Sequence, residues 1–271
     1  MSVRLMTFNI WFSPHELRRR MEAIGDIIQA HRPHVVALQE MTQTHWEACE
    51  GHPAFRGLHW SAMPGSGYCT MLGSAQPFDW EPKRTLFAET RMGRDLLAAI
   101  VDPGVPGLPP LVVGTSHLES LDRSEARRAQ ARESVQQLEL LASESGELGL
   151  GPVEDMVFCG DTNINDGADG ELELPGRWTD AWSLAHPEDP GYTFDVERNQ
   201  MVARMDRWAR NNNARLRFDR FWLNLSCYEL RSVELLGTEP LQGEVDPEPI
   251  WPSDHFGLLL VLGRAREGAA A

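Results

Sequence analysis

Five short apolar runs, each meeting an amide, carboxylate or imidazole at one end, constrain this chain more than any other feature of its sequence. Val3 to Phe8 runs into Asn9, and Val35-Val36-Ala37-Leu38 into Gln39-Glu40. Leu111 to Ser116 ends at His117, and Val157-Phe158-Cys159-Gly160 is followed by Asp161 and Asn163. Asp254-His255 precedes Phe256 to Val261. Runs of this length bounded by polar residues read as buried strands. Alone, each polar residue has a plain explanation: Asn9 or Gly160-Asp161 as a turn, Glu40 as a cap for a helix begun by Thr42-Gln43-Thr44. Repeated at strand after strand, they predict a concave site at one edge of stacked sheets.

Around these runs the chain punctuates itself clearly. Ser13-Pro14-His15-Glu16 has the form of a capping box, and Leu17, Met21, Ile24 and Ile28 follow at helical spacing until Pro33. Further strands are expected near 58–62, 68–72, 85–88, 96–101, 153–159, 218–223 and 232–236. A long helix is expected from Asp122 to Ser143, and a loop from Asp102 to Pro110. Many strands and few helices predict two packed sheets with helices outside. No repeat or low-complexity linker divides the 271 residues. They read as one domain over 1–263 with a frayed tail over 264–271.

Charge narrows the chemistry. With 25 basic against 40 acidic residues, the net charge is −15, so a protein that coats nucleic acid by overall attraction is excluded. The four cysteines form no C-x-x-C pair, which removes zinc-ribbon and thioredoxin-like readings. No apolar run approaches the roughly 20 residues of a membrane span. A core strand at the N-terminus in place of a secretory leader predicts a cytoplasmic protein, or a nuclear one in a eukaryote. Carboxylates gathered without nearby cations repel unless a metal ion compensates them, and oxygen-rich ligands without thiolates select magnesium or manganese. The exception to the acidic balance is 198–220, where Arg204, Arg207, Arg210, Arg215 and Arg217 cluster. One reading is a groove gripping single-stranded DNA, with Trp208 and Tyr192 or Phe194 as stacking rings. The other is a solvated face pairing with the acidic surplus.

Thr7-Phe8-Asn9, Leu38-Gln39-Glu40, Ser116-His117-Leu118, Gly160-Asp161-Thr162-Asn163 and Ser253-Asp254-His255, in this order, resemble the endonuclease/exonuclease/phosphatase superfamily with its DNase I-like fold. His117-Leu118-Glu119-Ser120, Thr162 within the Asp161 motif, Tyr192-Thr193-Phe194-Asp195 and Leu216-Arg217-Phe218-Asp219-Arg220 are similar to its 5′-tyrosyl-DNA phosphodiesterases. The resemblance implies an α/β fold, a four-layered α/β sandwich of two stacked mixed β-sheets flanked by helices. It also implies Mg2+-dependent (or Mn2+-dependent) hydrolysis of the 5′-phosphotyrosyl linkage between DNA and protein. Residue by residue it implies Glu40 as metal ligand with Asn9 beside it, and Asp161 as the base that orients water. Asn163, His117, Ser120 and His255 would contact phosphate oxygens, and Asp254 would orient His255 or assist the metal. The implied partner is a DNA 5′ end bearing a tyrosyl adduct, single-stranded at the site, held by Arg204, Arg207, Arg210, Arg217, Tyr192 and Trp208. Neither a membrane nor an obligate protein partner is implied, and only the catalytic part of the animal enzymes is expected. Where that subfamily reads Gly-Asp-Thr-Asn-Leu-Arg-Asp, this chain has Ile164-Asn165-Asp166, so a neutral amide stands in place of an arginine contact to phosphate. The competing expectations are a general nuclease, a phosphodiesterase or phosphatase for lipid or sugar phosphates, and a catalytically silent nucleic-acid-binding protein.

Overall fold

The structure, a computed structural model, describes residues 1–265 except 66, 150, 171 and 242–247. In chain order its elements are β1 (Ser2–Asn9), α1 (Leu17–His31), β2 (Val35–Met41), α2 (Gln43–Cys49), α3 (Pro53–Arg56), β3 (His59–Trp60), β4 (Cys69–Ser74), β5 (Lys83–Leu86), β6 (Asp95–Val101) and β7 (Leu111–His117). Then come α4 (Ser124–Glu144), β8 (Met156–Asp161), α5 (Asp166–Asp169), β9 (Thr179–Asp180), α6 (Ala181–Ala185), β10 (Phe194–Asp195), α7 (Gln200–Met205), α8 (Arg207–Asn211), β11 (Arg215–Leu216), β12 (Asp219–Asn224), β13 (Tyr228–Leu236) and β14 (Gly257–Arg264).

Two six-stranded mixed sheets carry the fold, in the orders β13-β14-β1-β2-β4-β3 and β5-β6-β7-β8-β12-β9. Each has one parallel pair at its centre, joined through a long helix: β1 to β2 through α1, and β7 to β8 through α4. Parallel neighbours need such a crossover, and it returns both strands in one direction. Their C-terminal ends therefore meet at one edge, with Asn9 beside Gln39 and His117 beside Asp161 in register.

The four layers follow from which side chains alternate inward. Val3, Leu5, Val35 and Ala37 of one sheet pack on Leu97, Val113, Val157 and Phe221 of the other. On the outer faces Met6, Phe8, Val36 and Leu38 pack under Met21, Ile24 and Ile28 of α1. Val112 and Phe158 pack under Val135 and Leu138 of α4. Strands covered on both faces read as continuous apolar runs, which is why these strands were legible in sequence.

Local departures have local causes. Ser13 does not cap α1: its Oγ accepts the His15 N–H at 3.3 Å, and the helix starts at Leu17 after Glu16 in left-handed backbone. The helix after Glu40 is capped by Thr42, which accepts the His45 N–H, leaving Glu40 for other work. The expected strand over 58–62 shortens to His59–Trp60, and β13 begins four residues before the expected Ser232. Of the stretch expected to fray, Arg264 is within β14 and the Ala265 N–H donates to Cys227 O, while 266–271 fall outside the described residues. All four cysteines are free. No helix among the described residues is long and apolar enough to cross a membrane.

Candidate active site

Four strand ends and two loops converge where the sheets splay. Asn9 closes β1 with its amide Nδ2 donating to Glu40 Oε1 at 3.2 Å and to Asp161 Oδ2 at 2.8 Å. One amide thus ties the two sheets together through two carboxylates. Glu40 reaches this point because β2 bulges against β4 between Leu38 and Met41, with Glu40 at φ 65°; a bulge re-aims a side chain that regular pleating would leave elsewhere. Its other oxygen accepts the Phe12 N–H at 2.8 Å. Asp161 Oδ1 accepts the N–H of Asn163, itself left-handed at φ 51°.

Two imidazoles flank Asp161. His117 Nε2 lies 3.4 Å from Asp161 Oδ2, and His255 Nε2 lies 3.9 Å from the same oxygen. Their environments are opposite. Burial, helped by the Arg94 guanidinium, pushes His117 down to about 3 against the pull of Asp161. Arg94 Nη2 lies 3.3 Å from His117 Nε2, a contact that the neutral ring satisfies with Nε2 as acceptor. Burial acts on His255 in the same sense, but Asp219 and Asp161 outweigh it and hold His255 well above the usual histidine range. The Asp219 contact is 2.7 Å to Nδ1. Burial and the neighbouring Asp254 carboxylate push Glu40 up to about 7.

The expected site residues fall into place unevenly. Asn9, Glu40, His117, Asp161 and His255 form one connected set. Asn163 adjoins it, with Nδ2 donating to Leu118 O at 3.1 Å. Ser120 is half-buried, its hydroxyl 3.2 Å from Met92 Sδ. The carboxylate in hydrogen-bond contact with His255 Nδ1 is Asp219, not the expected Asp254. Asp254 instead lies next to Ser253 Oγ at 3.2 Å and within the field of Arg20.

The arginine stretch divides. Arg207 and Arg210 stand exposed on α8. Trp208, 56% exposed, lines a groove of about 340 Å³ with Trp11, Arg207 and Asp254. Arg204 is drawn to Glu248 and Pro249 O. Arg217 is no free groove cation: its Nη1 pairs with Asp180 Oδ1 at 2.7 Å beside Arg220 and Asp166. Tyr192 lies under Arg215 in a separate cleft of about 590 Å³, and Phe194 packs on His255 as core. Asn165 caps α5, accepting the Gly167 and Ala168 N–H groups. The sequence gives Asp219 a place in a motif but no role and singles out neither Arg94 nor Tyr68, and Arg94 stands over the Tyr68 ring at 5.2 Å. All three sit at the N-terminal ends of antiparallel strands (β12, β6 and β4).

The donor set suits a hard divalent cation. Glu40, His117 and Asp161 each offer an atom within 4.8 Å of the others, as do Asp161, Asp219 and His255. Asp219 Oδ1 is buried without a hydrogen-bond partner. Carboxylate oxygens without thiolates are the ligands a hard divalent cation takes.

A fold of this kind, with this site, matches a known class. The model of the Endonuclease/Exonuclease/phosphatase family matches residues 6–255, and the chain belongs to that family. A truncated TDP2 of Caenorhabditis elegans superposes with a TM-score of 0.78 at 21% identity, covering 97% of this chain and 98% of the other. A Danio rerio TDP2 complexed with single-strand DNA product gives 0.74 at 24%, covering 97% and 99%. A mannosyl-6-phosphatase of Bacteroides thetaiotaomicron gives 0.70 at 15%, covering 96% and 99%. No curated protein matches the chain. At these identities the likeness shows the shared fold, and family membership makes this a phosphoester hydrolase fold with a site suited to a divalent metal.

Proposed function

We propose that the chain is a magnesium-dependent phosphodiesterase that releases tyrosyl adducts from DNA 5′ ends. The observation that carries the hydrolase reading is the single hydrogen-bonded set in which Asn9 joins Glu40 to Asp161 between a neutral and a protonated imidazole. Glu40 would hold the cation, with Asp161 in reach. When bound, a divalent cation polarises a phosphoryl oxygen and stabilises the leaving oxygen.

The chain's own residues supply the rest. Asp161, its two oxygens steered by Asn9 and the Asn163 N–H, accepts a proton from the attacking water. His255, kept charged by Asp219, donates to a phosphate oxygen as negative charge builds; one such donor contributes about 10²–10³ in rate. Arg94, beside His117 and over Tyr68, brings a second fixed positive charge to the same wall. A phenolate leaving group has a pKa near 10, so it departs without a strong general acid.

Support for DNA comes from the groove between Trp11 and Trp208, which opens beside Asp254 and carries Arg207 on its rim. Aromatic rings next to an arginine suit a single strand through stacking and phosphate contact. The relative bound to single-strand DNA product shares this fold. Location in the cytoplasm, or nucleus, is part of the same reading.

The test compares three substrates with added Mg2+: a 5′-phosphotyrosyl oligonucleotide, a plain duplex and a sphingomyelin-like phosphodiester. The tyrosyl oligonucleotide should be cleaved at least tenfold faster than either. Faster turnover of the sphingomyelin-like phosphodiester overturns the DNA reading and keeps the hydrolase, and faster turnover of the plain duplex overturns the tyrosyl preference. Glu40→Ala and Asp161→Ala should each abolish turnover with the fold intact, and parental rates in either would remove the metal and base roles.

A further inference from the structure

Arg20 lies in α1, fully buried, with all five of its N–H donors taken by main-chain carbonyls. Nε donates to Pro252 O at 3.2 Å, and Nη1 to Ser13 O at 3.0 Å and His15 O at 2.9 Å. Nη2 donates to Ile10 O and, at 2.6 Å, to Trp11 O. The guanidinium also stands over the Trp11 ring, 4.6 Å from its centre. Four of these acceptors belong to the loop joining β1 to α1, and the fifth immediately precedes Ser253-Asp254-His255.

Two of the held carbonyls share a peptide group with an N–H that serves the site. The Ile10 C=O faces Arg20, while the Trp11 N–H of the same peptide donates to Asn9 Oδ1 at 2.9 Å. The Trp11 C=O faces Arg20, while the Phe12 N–H of that peptide donates to Glu40 Oε2 at 2.8 Å. A trans peptide points its C=O and N–H in opposite directions, so gripping one end aims the other. Presenting two successive N–H groups to one side requires a local reversal of backbone hand. Trp11 supplies it at φ 59°, a conformation that a bulky L residue adopts only under external hold.

We propose that Arg20 is a positioning residue of the active site: through two peptide groups it aims the Trp11 and Phe12 N–H groups at Asn9 and Glu40, fixing the carboxylate that faces the metal. Arginine is required because its planar fork meets five carbonyls at once, whereas lysine has three donors on one nitrogen. The inference rests on the reading of Glu40 as a metal ligand.

The test uses the full chain with Mn2+ as the probe, its affinity read by electron paramagnetic resonance of the free ion. Arg20→Lys keeps the charge but leaves carbonyls unheld. Mn2+ affinity should fall about tenfold, and kcat should fall with KM within twofold. Adding Trp11→Gly in that background should recover most of the lost affinity, because glycine holds left-handed backbone without an external grip. A folded Arg20→Lys protein that binds Mn2+ like the parent overturns the proposal, as does failure of the glycine to rescue. Should the lysine variant not fold, amide exchange in the parent carries the test. The Trp11 and Phe12 amides should exchange as slowly as those of β1, and loop-like exchange at either overturns it. A parent chain that binds no Mn2+ refutes the metal reading instead, and the exchange result then decides Arg20 separately.

Discussion

His117 and His255 show how one site holds two imidazoles in different states. Both lose hydration on burial, which disfavours the charged ring. His117 meets a guanidinium and stays neutral, while His255 meets Asp219 at 2.7 Å and keeps its proton. Replacing Asp219→Asn removes the charge that raises His255, so the alkaline limb of the pH–rate profile should move to lower pH. Turnover near neutrality should fall by about 10², and an unmoved limb would show that His255 does not act as the charged donor.

At the scale of elements, the bulge in β2 and the close approach of β7 to β8 put charge where the sheets splay. Gly160 pairs with Ser116 in the parallel β7–β8 ladder, one residue before the His117–Asp161 pair. It sits at φ 137°, and a Cβ there would run into the Ser116 backbone. Gly160→Ala should therefore cost more than about 2 kcal/mol, on the scale of special-backbone substitutions. Denaturant unfolding measures it, and a neutral result would show that the two strands separate freely. On α8, Arg207 and Arg210 are exposed cations of the basic stretch. Replacing both with alanine should reduce the slope of log affinity for single-stranded DNA against log salt by about 1.4, at about 0.7 per phosphate contact. Arg217→Ala, which breaks an internal pair with Asp180, should leave that slope unchanged. A slope unaffected by the first pair returns α8 to a solvated face.

For the whole molecule, the acidic balance and the buried carboxylates make stability depend on pH and metal together. Glu40 stands at about 7 in the fold against an ordinary 4.5. An acid raised on folding contributes stability below its unfolded value and loses it as pH rises through the folded one. For Glu40 that window runs from about pH 4.5 to about 7. A cation at the ionised carboxylate reverses the loss. At about 100 times its dissociation constant a ligand adds roughly 2.7 kcal/mol. Thermal melts should therefore show a larger gain from Mg2+ near pH 8 than near pH 5.5, and equal gains at both would remove Glu40 from the metal site.

The apolar runs of β1, β2, β7 and β8 were readable because both faces of each strand are buried, and burial leaves a compositional record. The polar residues at their ends were readable for the same reason, as interruptions of that record. Arg94 and Tyr68 left no such mark, and Asp219 left one that did not say what it holds: all three stand at the starts of antiparallel strands, and only the sheet order brings those starts beside the ends of β2, β7 and β8. Similarly, a run of arginines in sequence says nothing about which are neutralised. Asp180 and Asp166 are distant in the chain from Arg217 and Arg220, and folding decided the pairing. Sequence by itself determined the layers and the residues along the parallel strand ends, since periodicity and burial are local. Tertiary structure alone decided which carboxylate holds which imidazole, because that depends on contacts between elements that carry no trace of one another in the chain.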